Sequence, residues 1–249
     1  MRQLLSSDMI KLKRSWFLEV TAAVPILICL LISVFFWYYR NTGMEPFKIW
    51  GVVFEFLFLI LNPVIFVTIA VIASILSSIE HQSSMWKQLL CMPFSKTSFY
   101  MTRIGLVLSA ALGIGAIMTA GTYFLGSLFG LTDGMHFSQF FVHIFFPFLI
   151  SIPYLCFQTW LSLTVQHQAL PISAGIAAVF IGPLMKDWAV WTPWGFLSAY
   201  SVPVSIPEGA VIGATADYTI DWSFLLIMIP LTCMLLLIGN LHFHQKEFH

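Results

Sequence analysis

Glu55, His143 and His167 are the titratable side chains within or beside the long apolar stretches of this chain. Acid–base chemistry requires such groups to converge at one depth, so that one takes a proton while another gives it. Their spacing sets them at outer, outer-middle and inner levels, which counts against a membrane-embedded protease or transferase. Metal chemistry has little to draw on. No HExxH occurs, and His242, His244 and His249 gather beside Lys246 and Glu247 at the C-terminal end, a pattern that reads as a solvated tail rather than a metal site. Phosphate chemistry is missing its cradle. There is no GxxxxGK[ST], and Gly113 and Gly115 form a GxG with Met118 where a third glycine belongs and no strand before it. The chain does not hydrolyse a nucleotide by that route.

The elements that must position these residues are apolar. Of 249 residues 59% are hydrophobic and 9% charged, and residues 134–185 form a 52-residue run without Asp, Glu, Lys or Arg. A bilayer core of roughly 30 Å takes about 20 apolar residues per helix, so that run alone holds about two crossings. Backbone amides in hydrocarbon must pair within helices or closed barrels, and the alternation a barrel needs is missing. An all-α integral membrane protein follows. Zero net charge and the lack of a domain-sized polar segment leave no basis for nucleic-acid binding or a soluble enzyme. Cys29, Cys91, Cys156 and Cys233 are scattered, with no CxxC pair, and read as reduced structural thiols.

Hydropathy predicts six spans at 20–39, 51–77, 104–127, 138–165, 169–185 and 222–241, in one transmembrane domain covering 1–249. Both termini then share a side. With that side cytoplasmic, eight cations lie inside (Arg2, Lys11, Lys13, Arg14, Lys87, Lys96, Arg103 and Lys246) and three outside (Arg40, Lys48 and Lys186), as the positive-inside rule requires. Trp37, Trp50, Trp188 and Trp222 fall at outer ends and Trp16 and Trp160 near inner ends, where amphipathic rings settle. The first apolar run follows a basic head and lacks a small-residue cleavage site, so it is expected to remain as a span.

Three segments stand outside the spans. Residues 1–19 place Leu4, Leu5, Met9, Ile10, Leu12 and Trp16 at helical spacing among Lys11, Lys13 and Arg14, which reads as an interfacial amphipathic helix; a basic head that only sets topology is the alternative. Residues 186–221 are too long and too apolar for a loop, and Pro193, Pro203 and Pro207 with Gly195, Gly209 and Gly213 break any crossing helix. One or two short helices dipping into the outer leaflet are expected, with Trp188, Trp191 and Trp194 on one face as an aromatic anchor or a ligand contact. Residues 80–103 form a compact polar island. There Ser83 or Ser84 can cap a short helix whose apolar face carries Met85, Trp86, Leu89 and Leu90, and Pro93 stops it. Such a helix lies across the inner surface with Trp86 and Leu90 facing lipid or a partner's groove, flanked by Glu80 and Lys87.

An acidic residue, a short polar stretch, Trp86, Leu89 with Leu90, Pro93, Ser95 with Lys96, Phe99 with Tyr100, and then Arg103 together resemble the type-2 ABC exporter permeases. More narrowly, the chain is similar to lantibiotic-immunity and bacitracin-resistance permeases of Gram-positive bacteria, a resemblance of length and layout over essentially the whole chain. It implies a permease in the cell membrane that pairs with a second permease, identical or homologous, and with cytosolic ATP-binding subunits. ATP and Mg would be bound by that partner, and this chain would carry no cofactor. Carried over by position, Glu80, His81, Trp86, Lys87, Leu90 and Pro93 are the docking surface, and Lys11, Lys13, Arg14 and Trp16 a secondary inner contact. The implied task is expulsion of a lantibiotic or similar peptide antibiotic from the membrane. An ion-coupled secondary transporter is the competing reading, although the inverted repeats and paired midplane charges usual there are not visible.

Within the spans, Glu55 lies about one turn from an outer end. It either snorkels or pairs with Arg40 or Lys48, or it contacts a cationic peptide. Asn62 and Pro63 follow on the same helix, where Pro63 frees a carbonyl and permits a gating bend or a static one. His143 and Gln158 are expected to satisfy neighbouring helices rather than line a polar path. Gly126 and Gly130 form a GxxxG, a weak dimerisation signal.

Overall fold

The computed structural model describes residues 17–82, 96–131, 137–165, 167–200, 204–205, 219–220 and 222–245. Its helices are α1 (Phe17–Asn41), α2 (Pro46–Gln82), α3 (Lys96–Leu128), α4 (Phe137–Thr164), α5 (Ala169–Met185), the short α6 (Pro193–Tyr200) and α7 (Phe224–Gln245). Between α6 and α7 a two-residue antiparallel ladder pairs Val204 with Ile220 and Ser205 with Thr219. The sequence reading expected only helices and breaks in that segment. Among the described residues five helices are long and apolar enough to cross a membrane, and α5 is a shorter apolar helix of 17 residues.

Residue contacts fix the directions. Phe54 meets His143 and Phe66 meets Tyr154, so α2 and α4 run parallel. Gln158 meets Pro171 while Tyr154 meets Gly175, so α5 runs against α4. Phe146 meets Phe224 and Trp160 meets His242, so α7 runs with α4. The long helices thus alternate up and down, with α2 packed most closely on α5 and α1 on α3.

Small residues allow the closest approaches. Gly175, Ala178 and Gly182 are buried along one side of α5. A Cβ at Gly175 would collide with Ala70 of α2, and one at Gly182 would lie 2.5 Å from Ser198 Oγ and 3.1 Å from the Phe66 ring. Without a hydrophobic driving force between helices in lipid, such van der Waals contact is what holds the pair together.

Prolines shape α4. Pro147 has no N–H for the His143 carbonyl and its ring crowds that turn, and residues Phe141–Phe145 widen into a π-helical turn just before it. Pro153 does the same to Leu149, and the helix breaks at Ser151. Pro63, by contrast, is absorbed within a continuous α2 of 37 residues.

Candidate functional site

At the inner end, α2 continues to Gln82 and α3 starts at Lys96. The polar island expected as a loop from 80 to 103 is therefore helical at both ends, and the intervening residues 83–95 lie outside the described residues. The discrepancy has a physical cause. Lys96 and Arg103 end a hydropathy window, yet Arg103 is buried, with its guanidinium 4.7 Å from the centroid of the Phe99 ring one turn earlier. A cation stacked on an aromatic face loses less on burial than a bare charge. Trp86, Lys87, Leu90 and Pro93, like Lys11, Lys13, Arg14 and Trp16, fall outside the described residues. Glu80 and His81 belong by backbone to the last turn of α2.

At this inner end three helices meet. Tyr100 of α3 is fully buried, and its ring lies against Gly239 of α7, where a Cβ would sit 2.9 Å from Tyr100 Cζ and 3.3 Å from Trp160 Cδ1 of α4. Trp160 Nε1 donates to His242 Nδ1 at 3.1 Å. His242 is thus a helix residue bonded to α4, not part of a solvated tail, because α7 extends to Gln245.

At the outer end Glu55 is exposed, with Phe58 and Leu59 beside it on the same side of α2. Neither expected partner reaches it. Arg40 donates to the Phe129 carbonyl, and Lys48 pairs with Glu45 at 3.3 Å. Asn62 and His143 come together across α2 and α4 around a cavity of about 10 Å³, lined also by Phe54, Leu57, Phe58, Leu61 and Pro147 and large enough for one water. His143 Nδ1 donates to the Gln139 carbonyl at 2.8 Å, which places its proton on Nδ1. Gln158 Nε2 donates to the Pro171 carbonyl at 2.7 Å, the helix-to-helix satisfaction expected of it.

The three tryptophans do not share a face. Residues 186–192 form turns, so three-residue spacing no longer sets one side. Trp188 and Trp191 are each 71% exposed, whereas Trp194 enters α6 and packs its ring 5.0 Å from Phe157. Thr192 caps that helix, its Oγ1 receiving the Gly195 N–H at 3.1 Å, with Pro193 at the first helical position. Trp50, expected at the headgroups, is fully buried and donates to the Leu131 carbonyl at 2.6 Å.

A family model described as "ABC-2 family transporter protein" matches residues 4–182. This chain belongs to the ABC-2 transporter family. It is the membrane-spanning permease of an ABC transporter, and family membership implies that ATP-binding subunits work with it. No curated protein matches the chain. In the permease the match covers α1 to most of α5 and the α2–α3 connection, and leaves α6, the ladder and α7 beyond it.

Sequence reasoning missed several residues of this permease. Tyr100 entered only as half of the Phe99–Tyr100 pair, with nothing to mark its contact, and Gly239 gave no motif, since a glycine in an apolar run is common. Trp160 stood out as an inner anchor, but nothing in its spacing pointed to His242. The GxxxG has an intramolecular explanation: a Cβ at Gly126 would sit 2.5 Å from Trp50 Cζ2, and Gly130 holds φ +67° to end α3. The Leu131 N–H closes that end on the Gly126 carbonyl at 2.9 Å.

Proposed function

We propose that this permease is the membrane half of an ATP-driven exporter that removes a lantibiotic or similar peptide antibiotic from the membrane and so protects its cell. The observation that carries this reading is the family match across the whole α2–α3 connection, in a sequence lacking any GxxxxGK[ST] of its own. Energy must then arrive from a partner that burns ATP with Mg, and residues 83–95 are where it docks. Glu80, His81, Trp86, Lys87, Leu90 and Pro93 form that surface, with Lys11, Lys13, Arg14 and Trp16 beside it. The alternating helix directions support six crossings with both termini cytoplasmic, α5 being the short crossing. A second permease, identical or homologous, completes the assembly in the lipid of a Gram-positive cell membrane. Glu55 on the exposed side of α2 suits a cationic peptide, with Asn62 deeper at an outer gate and Trp188, Trp191 and Trp194 at the outer surface.

The test is co-purification of the permease with its ATP-binding subunit, together with growth under peptide antibiotic. Changing Trp86 and Leu90 to Asp should release the subunit and remove protection. If the doubly substituted chain retained both, docking at 83–95 would be wrong. Activity that needs a proton gradient but survives ATP depletion would instead favour an ion-coupled transporter.

A further inference from the structure

Helix α7 packs one side on the bundle, with Ile227, Met228, Leu231, Leu235 and Leu236 partly buried against the core, and leaves the other side exposed. Only 11% of its span is buried inside the chain, and Leu226, Ile229, Met234, Leu237 and Ile238 are all exposed. At its outer end Phe224 is 3% exposed, stacked edge-on against Phe146 of α4 with ring centroids 5.5 Å apart and lying 6.3 Å from Tyr200 at the end of α6. At its inner end Gly239 sits against the Tyr100 ring, and His242 one turn on accepts from Trp160. Tyr100 is the fifth residue of α3, so only Lys96, Thr97, Ser98 and Phe99 separate it from residues 83–95.

These contacts have a mechanical consequence. A glycine offers no side chain to bend out of the way, and Tyr100 is enclosed on all sides, so a shift of the first turn of α3 cannot be absorbed locally. Close-packed contacts of this kind transmit displacement rather than damp it. From Gly239 the continuous helix then carries the shift about 22 Å to its far end, where Phe224 meets the last residue of α6. With one side packed and the other exposed, the rod moves along its packed side.

We propose that α7 is the lever that carries motion from the α2–α3 connection to the outer segment at α6, with Tyr100 against Gly239 as its inner contact and Phe224 against Tyr200 as its outer one. Tyr100 and Gly239 are positioning residues, and their role rests on the reading that an ATP-binding subunit docks on residues 83–95. The lever assigns work to α6, the ladder and α7, the part of the chain beyond the family match. It also separates two properties that a docking surface alone would lose together, subunit binding and movement of the outer segment.

The experiment uses the full permease with its ATP-binding subunit, carrying spin labels at Asp187→Cys before α6 and at Leu128→Cys at the outer end of α3. In the otherwise unchanged complex the distance between labels should differ between nucleotide-free and vanadate-trapped states. Gly239→Val, which wedges α7 away from Tyr100, and Tyr100→Ala, which opens a gap there without burdening the helix, should each abolish that difference. Subunit binding and the nucleotide-free distance should both be retained. Gly113→Val, at a glycine with open space around it, should leave the difference intact. A full nucleotide-driven shift in a folded Tyr100→Ala complex would overturn the lever while leaving the docking reading standing. Absence of any bound ATP-binding subunit on the unsubstituted permease would overturn both.

Discussion

The hydroxyl of Tyr154 donates to the main-chain carbonyl of Phe66 at 3.0 Å, tying α4 to α2 at the level where Gly175 of α5 passes both. One phenol thereby bridges two helices that no short loop connects. The bond adds to helix packing rather than dominating it, because hydrogen bonds between transmembrane helices contribute only about 0.6 kcal/mol on average.

That ordering of effects can be measured. Tyr154→Phe should cost about 0.5–1.5 kcal/mol of stability. Gly175→Leu should cost more, because its side chain has no room beside Ala70 and overpacking costs about 1–3 kcal/mol. Thermal unfolding in detergent ranks the two, and a larger loss for the tyrosine change would mean that the α2–α5 contact is less tight than the geometry requires.

The GxxxG at Gly126 and Gly130 leads to a second expectation. Because Gly126 is covered by Trp50 of its own chain, Gly126→Val should lower stability without changing the oligomeric mass. Gly130→Ala should cost about 1 kcal/mol through its left-handed backbone alone. Loss of a dimer band on cross-linking Gly126→Val, at unchanged stability, would restore the dimerisation reading.

Much of the architecture was readable because lipid imposes a simple rule. The run without Asp, Glu, Lys or Arg at 134–185 had to become helices, and α4 and α5 fall within a residue of the expected limits on both sides. Errors cluster where a polar group finds a private partner that hydropathy does not register. Arg103 on Phe99 extended α3 inward, Trp160 drew His242 into α7, and Trp50, near the outer end, turned inward to satisfy the Leu131 carbonyl. Pairing of Glu55, one of the readings open to it, failed in the opposite sense: Arg40 and Lys48 are engaged elsewhere, a competition visible only in three dimensions. The Trp188, Trp191 and Trp194 pattern misled because helical spacing has meaning only within a helix.

Crossing by α5 gives a third prediction. Its 17 residues span about 26 Å, slightly less than the roughly 30 Å hydrocarbon core. With six crossings, a membrane-impermeant maleimide on intact cells should label Thr42→Cys and Asp187→Cys in a chain whose own cysteines are replaced. Gln168→Cys and Gln245→Cys should stay unlabelled until the cells are opened. Labelling of Gln245→Cys from outside would place the C-terminal end on the opposite face and reduce the count to five.

Glu55 supplies the last prediction, and it turns on where an unneutralised carboxylate can sit. The residue lies nine positions beyond the first residue of α2, exposed, with Phe58 at 59% and Leu59 at 73% exposure on the same side. A carboxylate facing hydrocarbon is costly and one facing a wet cavity or a bound cation is not, so this side of α2 is expected to meet water or cargo in the assembled transporter. If a cationic peptide is the cargo, Glu55→Gln removes a charge-assisted contact worth about 1.5–3 kcal/mol. That corresponds to about a tenfold or larger loss of protection, with binding and hydrolysis by the ATP-binding subunit unchanged. Glu55→Lys should be worse still, since it repels the same cargo. Growth inhibition curves against a cationic lantibiotic and an uncharged amphipathic peptide, run side by side, separate the possibilities. Equal sensitivity of Glu55→Gln and the unsubstituted permease to the cationic peptide would remove Glu55 from the cargo path.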